Sequence, residues 1–456
     1  PLKDMTEEEV IHAKMMEGSY AAVTGKDRFK GSILELLRGM LHDDPRERWT
    51  IEEILIWHEG QRMSPKQSLK HKKAARPLSF HGKKYNHTVL LAMDLEKNPE
   101  EVQKLIEGEE LVQWLQRSMD DDALAEQVEN AVRSVRERGS GAGFLDRLVS
   151  ILSIVLDPQA PIRYRTMHVL ADGIGTFLAE AVALKKDVQT IAEMFSAGIT
   201  MNWLNARESG FPELGTLISR TDNCRAFISS PKPGYGIERC LYLLCPEAYC
   251  MSEKLKDYVV NTPEEMLRAF EDICQKGAAP VSFLDRHVTA FLAVRDAKSI
   301  EPYLYEIGSN DESKKILATL KTFAQIQRRI NESFPGIAKA IQERLSVVYA
   351  RYHDRRTREK LQATVKKFAE QGDLVKMAAA LDNPTVINTD MQGFRIAMTE
   401  YVELAKEYNR LEAGLADKSK FGRSTGREFS AVVSSIIASI IIVFMAIMFF
   451  TGKTLY

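Results

Sequence analysis

Twenty-two consecutive residues near the C-terminus, Phe429 to Phe450, read FSAVVSSIIASIIIVFMAIMFF and carry no charge. As a helix rising 1.5 Å per residue this stretch is roughly 33 Å long, enough for the ~30 Å hydrocarbon core of a bilayer. A helix also satisfies every backbone N–H and C=O internally, which lipid demands. Lys418, Lys420, Arg423 and Arg427 precede the stretch and only Lys453 follows it. Positive charge stays on the cytoplasmic side, so the bulk of the chain is expected there, with only residues 451–456 across. Ala431, Ser435 and Ser439 recur every four residues on one face of the span. Small residues at this spacing let two helices approach closely, so they form a candidate dimer face.

The rest of the composition fits a cytoplasmic globular protein. The chain has 456 residues, a prior of two to four domains. Its net charge of −1 argues against a general nucleic-acid binder. Five cysteines, a low and odd number, point to a reducing compartment and not to a disulfide framework. The first residues are mixed and charged and lack the apolar core of a signal peptide.

Residues 1–60 read as short helices joined by polar turns. Thr6 with Glu7, Glu8 and Glu9 is a cap followed by an acidic first turn. Ile33, Leu34, Leu36, Leu37, Met40 and Leu41 repeat at helical spacing. Asp44-Pro45 then turns the chain, and Thr50 with Glu53 makes a capping box for a helix from Ile51.

The segment Leu36 to Trp57, LLRGMLHDDPRERWTIEEILIW, resembles the end of the protein kinase catalytic domain, where a leucine-rich helix runs into Asp-Pro-x-x-Arg-x-Thr and a final helix. Met15 to Val23 fits the preceding kinase segment, and Trp57 to Gly60 is similar to the Trp-x-x-Gly ending of some bacterial serine/threonine kinases. The resemblance covers about an eighth of the chain. It implies structural roles for Asp44, Pro45, Arg48, Trp49 and Trp57. It also implies that Arg48 is buried against the glutamate of an Ala-Pro-Glu motif, which does not precede it here. A buried arginine without that partner costs several kcal/mol, so either further chain upstream or another partner is expected. The start at Pro1, inside what reads as a domain, points the same way. No Gly-rich loop with an Ala-x-Lys strand, no His-Arg-Asp loop and no Asp-Phe-Gly metal site is present. ATP and Mg²⁺ are therefore implied for an intact kinase only, and this chain alone is expected to be inactive, with no catalytic, cofactor or metal residues to name.

Residues 61–76 form a basic linker with Lys66, Lys70, Lys72, Lys73 and Arg76. Residues 77–138 read as a small α+β module, opened by a hairpin turning at His81-Gly82-Lys83 and closed by Trp114. Asp120-Asp121-Asp122 reads as a helix start, because consecutive residues point apart and do not share a metal. Residues 139–143, GSGAG, form a flexible connector. Residues 144–415 read as almost entirely helical, a regulatory or docking region. Phe144 to Asp157 matches Phe283 to Asp296 without gaps at half of fourteen positions, which points to a helical repeat or to chance likeness of two amphipathic helices. Cys240, Cys245 and Cys250 lack zinc spacing and read as buried thiols. Phe227 to Gly236, rich in Pro and Gly, is the candidate contact loop, and Tyr349 to Lys367 is a basic helix face. Met391 to Leu415 is the last helix before a 416–428 juxtamembrane linker and the 429–450 span.

The expected protein is thus mainly α. Two readings stand: the regulatory and anchoring C-terminal part of a bacterial serine/threonine kinase at the inner membrane, or a non-catalytic membrane-tethered helical scaffold that keeps a kinase-like tail. Either has protein partners on its helical region, with homodimers through the span's small-residue face.

Overall fold

A computed structural model of the chain describes residues 2–25, 28–61, 63–65, 72–139, 141–207, 214–416 and 418–451. Lys66 and Lys70 of the basic linker, Ser140 of the connector and residues 452–456 of the tail lie outside them. The described chain is mainly helical, with two short antiparallel hairpins. It divides into two compact units, residues 1–270 with 280–308 and residues 271–279 with 309–456.

In the first unit the capping chemistry acts where the sequence places it. Thr6 and Thr50 each accept from the backbone N–H three residues on, and Glu9 and Glu53 reach back in reciprocal capping boxes. The hairpin pairs Leu78–Phe80 with Lys83–Tyr85, and its two turn residues His81 and Gly82 both have positive φ, 46° and 72°. Trp114 is buried and its indole N–H donates to Arg76 O at 2.8 Å. Asp121 caps the helix Asp122–Glu137 by accepting from Leu124 N–H at 3.0 Å.

The helix Phe144–Leu156 lies at the centre of this unit and is buried from Leu148 through Ile154 and again at Leu156. It packs against the helices Thr88–Asp94, Pro99–Glu107, Asp122–Glu137 and Ile199–Asn205. Each large apolar side chain taken fully from water there is worth about 1.5–3 kcal/mol. The helices on either side of the Gly-rich connector, Asp122–Glu137 and Phe144–Leu156, pack directly on each other. At the end of the basic linker Ala74 is buried, and Ala74 and Ala75 N–H bond to Asn86 O and Ser118 O.

A second hairpin, Ile162–Tyr164 with Met167–Val169, interrupts the region expected to be helical throughout. Its turn holds Arg165 at a positive φ of 55°, and the Arg165 guanidinium spans Asp146 at 2.8 Å and Glu193 at 2.7 Å. The matched segments Phe144 to Asp157 and Phe283 to Asp296 both give a buried helix stopped by an Asp in similar backbone conformation. They differ before and after: the second helix starts only at Arg286, and it is followed by another helix where the first is followed by the hairpin.

In the second unit the helix Glu312–Gln327 packs on Leu374–Leu381, which in turn packs on Arg355–Glu370. Two long helices follow, Pro384–Ala416 and Lys418–Thr451. The second contains a stretch, Gly422–Phe450, long and apolar enough to cross a membrane; its most apolar 18-residue window has mean hydropathy 2.8 and none of that window is buried.

Candidate functional site

The kinase-like residues gather in one turn. The helix Ser32–Met40 ends at Leu41, Pro45–Glu47 forms a single 3-10 turn, and the helix Ile51–His58 follows. Trp49 N–H donates to Gly39 O at 3.0 Å, and its indole lies directly on Gly39. A Cβ at position 39 would sit 2.3 Å from that ring, so only glycine allows this contact. His42 is buried and its Nδ1 accepts from Asp44 N–H at 3.2 Å. Asp43 accepts from Ser19 N–H at 2.6 Å, tying the turn to the helix Ser19–Thr24.

Arg48 is bonded within its own turn. Its Nε donates to His42 O at 2.9 Å, but the residue is exposed. Water solvates the guanidinium, so the penalty of a buried unpaired arginine does not arise. Asp44 and Pro45 are exposed as well, and Trp57 is half-buried. The helices flanking the turn bury very little: Ile33, Met40, Ile51 and Leu55 are all exposed, and Ile51–His58 has no buried residue.

A polar node that the sequence did not reveal sits farther along the first unit. Tyr242 OH accepts from Met251 N–H at 2.9 Å and meets His287 Nδ1 at 3.0 Å. Ser252 Oγ donates to Asp285 Oδ2 at 2.5 Å, while Asp285 Oδ1 caps the helix Arg286–Arg295 at Val288 N–H. Burial pushes the Cys250 thiol up to about 12, and burial likewise lowers the His287 pKa from its ordinary 6.5. The serine bonds a carboxylate and not the imidazole, and the cysteine stays protonated at neutral pH. No nucleophile and base are paired, so the node ties a turn to a helix.

The Phe227–Gly236 loop is held and not free. Arg239 is buried with its Cζ 4.5 Å from the Phe227 ring and 4.7 Å from the Tyr235 ring, and it bonds Glu301 at 2.7 Å. Only Ser229, Pro231 and Lys232 of the loop are exposed. Cys240 and Cys250 are buried, Cys245 is half-buried, and all are free thiols. The basic stretch is broken after Ser346–Tyr349: Arg351 lies in the turn, and Arg355, Arg356, Lys360, Lys366 and Lys367 face solvent on the helix Arg355–Glu370, with Arg355 paired to Glu359 at 2.8 Å. Among the described residues no three His, Cys, Asp or Glu side chains gather as a metal site.

In the span, Ala431, Ser435 and Ser439 are exposed on one face, and Ser439 Oγ bonds back to Ser435 O at 2.8 Å. That bond satisfies the hydroxyl within the helix, as a lipid-facing serine requires. No family model, curated protein or solved structure matches this chain.

Proposed function

We propose that this chain is the C-terminal regulatory and anchoring part of a membrane-bound serine/threonine protein kinase, with its bulk on the cytoplasmic face of the inner membrane. The observation that carries the reading is the Asp44–Arg48 turn, clasped by Trp49 on Gly39 between two helices whose apolar side chains Ile33, Met40, Ile51 and Leu55 stay exposed. Two helices that bury so little on their own need further polypeptide against them, and a catalytic lobe would supply it. The basic flank Arg423 and Arg427, ahead of the apolar stretch, supports the cytoplasmic orientation. ATP and Mg²⁺ find no fitting residues in this chain, since the motifs that hold them are absent from its sequence. The chain's own contribution is attachment and regulation, and no phosphoryl-transfer step runs through it.

One observation favours the scaffold reading. Arg48 is exposed and hydrated, so the turn stands without the acidic partner that a catalytic lobe provides. Intact mass and full-length sequence of the native protein decide between the two. About 200 further residues carrying the Lys, His-Arg-Asp and Asp-Phe-Gly elements, with ATP-dependent phosphorylation lost on changing that Asp, support the kinase. A native protein without those elements leaves a scaffold.

A further inference from the structure

The helix Pro384–Ala416 carries a seven-residue repeat. Phe394, Tyr401, Tyr408 and Leu415 stand seven apart, and Ala397, Leu404 and Leu411 follow each of the first three by three residues. These are the a and d positions of three heptads, the pattern of a coiled-coil seam. Off the seam stand Arg395, Glu403, Lys406, Asn409 and Arg410, with Ile396, Met398 and Val402 the large apolar side chains there.

The base of this helix is fixed on its own unit. Asp390 accepts from His353 N–H at 2.9 Å and Asp354 N–H at 2.8 Å, and the Phe394 ring stacks on His353 at 3.8 Å. Beyond Phe394 the seam has no cover: Tyr401 is 67 %, Leu404 56 %, Tyr408 64 %, Leu411 49 % and Leu415 70 % exposed.

We infer that this seam pairs with the same seam of a second copy in a parallel coiled coil beside the membrane, an inference that rests on the anchoring part of the reading above. Three arguments select a second copy. A 3.5-residue period fits only another helix with the same period. The seam ends at Leu415, the helix bearing the span begins at Lys418, and Arg410 pairs with Glu428 between the two helices at 3.4 Å, so each seam is tied to its own anchor and two anchored copies present theirs at equal height. The exposed seam amounts to roughly 700 Å² per copy, so a pair would bury about 1,400 Å², within the ~1,200–2,000 Å² of stable interfaces. Three heptads are short for association in solution, but confinement to one membrane raises the effective concentration. At the rim, Glu400 meets Ala405 of the second copy, and Glu407 meets Glu412 of the second copy. That like-charge pair is a small, salt-screened cost, so the anchor and not the rim sets the orientation.

The test is cysteine cross-linking of the full chain in membranes. Leu404→Cys and Leu411→Cys lie on the seam, Lys406→Cys lies on the outer face, and the unsubstituted chain with its own thiols sets the background. Mild oxidation should give at least about fivefold more dimer, at twice the chain mass, from the seam positions than from Lys406→Cys. Adding Tyr401→Glu to Leu404→Cys should return the yield to the outer-face value. Equal yields at positions 404 and 406, no dimer at either, or an adduct of another mass each overturns the inference. Pelleting of the chain with membranes is read in the same samples. Its failure overturns the anchoring reading, and the cross-linking pattern still judges the seam in whichever fraction holds the chain.

Discussion

Replacing Gln327 with leucine tests how the second unit is held together. The Gln327 amide is buried at the end of the helix Glu312–Gln327. Its Nε2 donates to Glu332 O at 2.9 Å and Gly372 O at 2.8 Å, and its Oε1 accepts from Leu374 N–H at 2.8 Å and Val375 N–H at 3.2 Å. Leucine fills the same volume and removes all four bonds. Glu332 is exposed and can turn to water, and Gly372 O still accepts from Phe334 N–H at 3.0 Å. Leu374 N–H is fully buried and would be stranded. One stranded donor with the lost bonds around it costs about 2–4 kcal/mol. At about 1.4 kcal/mol per factor of ten, amide exchange at Leu374 should rise about 30- to 1,000-fold. Exchange mass spectrometry on peptides covering 372–376, with the chain in micelles, reads this directly. Gln327→Glu should cost more than Gln327→Leu at neutral pH, because it turns both donors into an acceptor facing two carbonyls. A rise in exchange below about threefold for Gln327→Leu would refute the reasoning, since water or backbone relaxation would then be replacing the amide.

Gly39→Ala should displace the Trp49 indole and cost about 1–3 kcal/mol, seen as a red-shifted tryptophan emission; unchanged emission would mean the ring does not rest on Gly39. The His287 pKa is lowered by burial, against the opposing charges of Glu238, Asp285 and Glu253, with Arg286 adding to the lowering and Tyr242 OH on its Nδ1. The unfolded chain therefore binds that proton more readily than the folded one. Stability from His287 is complete above its ordinary 6.5 and is lost as pH falls through that value to the lower folded one. His287→Gln should flatten the fall in unfolding midpoint between about pH 7.5 and 5, and an unchanged slope would refute the assignment. Burial also pushes Cys250 to about 12 and Cys274 to about 11. Alkylation of the native chain near pH ~8 should reach half-buried Cys245 before the buried Cys224, Cys240 and Cys250; labelling of Cys250 ahead of Cys245 would show that the node opens readily.

Local chemistry made the helix starts and the first hairpin legible. Thr6, Thr50 and Asp121 act within a turn of where they stand, and His81-Gly82 supplies the positive φ that its turn needs. The second hairpin escaped because its turn residue Arg165 adopts positive φ without being glycine, and because Ile162, Arg163 and Tyr164 are all buried, leaving no alternation to read. The nodes at Arg239 and Tyr242 join residues 45 to 62 positions apart, which no window of sequence displays. The exposure of Arg48 was hidden for a related reason: a motif names residue types, while solvent access depends on what packs over them. The same limit applies to the last helix before the span. Its helical period is plain in the sequence, but an apolar stripe does not say whether anything covers it.

Several carboxylates and one buried amide of this protein share one task. A chain cut into many short helices leaves up to four unsatisfied N–H groups at each helix start. Asp285, Asp354 and Asp373 cap their own helices. Buried Glu271 does so across the fold, accepting from Gly336 N–H at 2.7 Å and Ile337 N–H at 2.9 Å at the start of Pro335–Gln342. Asp390 takes His353 and Asp354 N–H, and Gln327 takes Leu374 and Val375 N–H. A carboxylate already bonded to two backbone donors has its lone pairs engaged and is poorly placed to reach a substrate proton. These groups are therefore committed to holding helices in place. What stays uncommitted is surface: the apolar faces around Ile51 and Leu55, the basic face of Arg355–Glu370, and the Tyr401 to Leu415 seam next to the span. The outer helices keep these apolar faces open, and they are where the proposed contacts with other polypeptide would form.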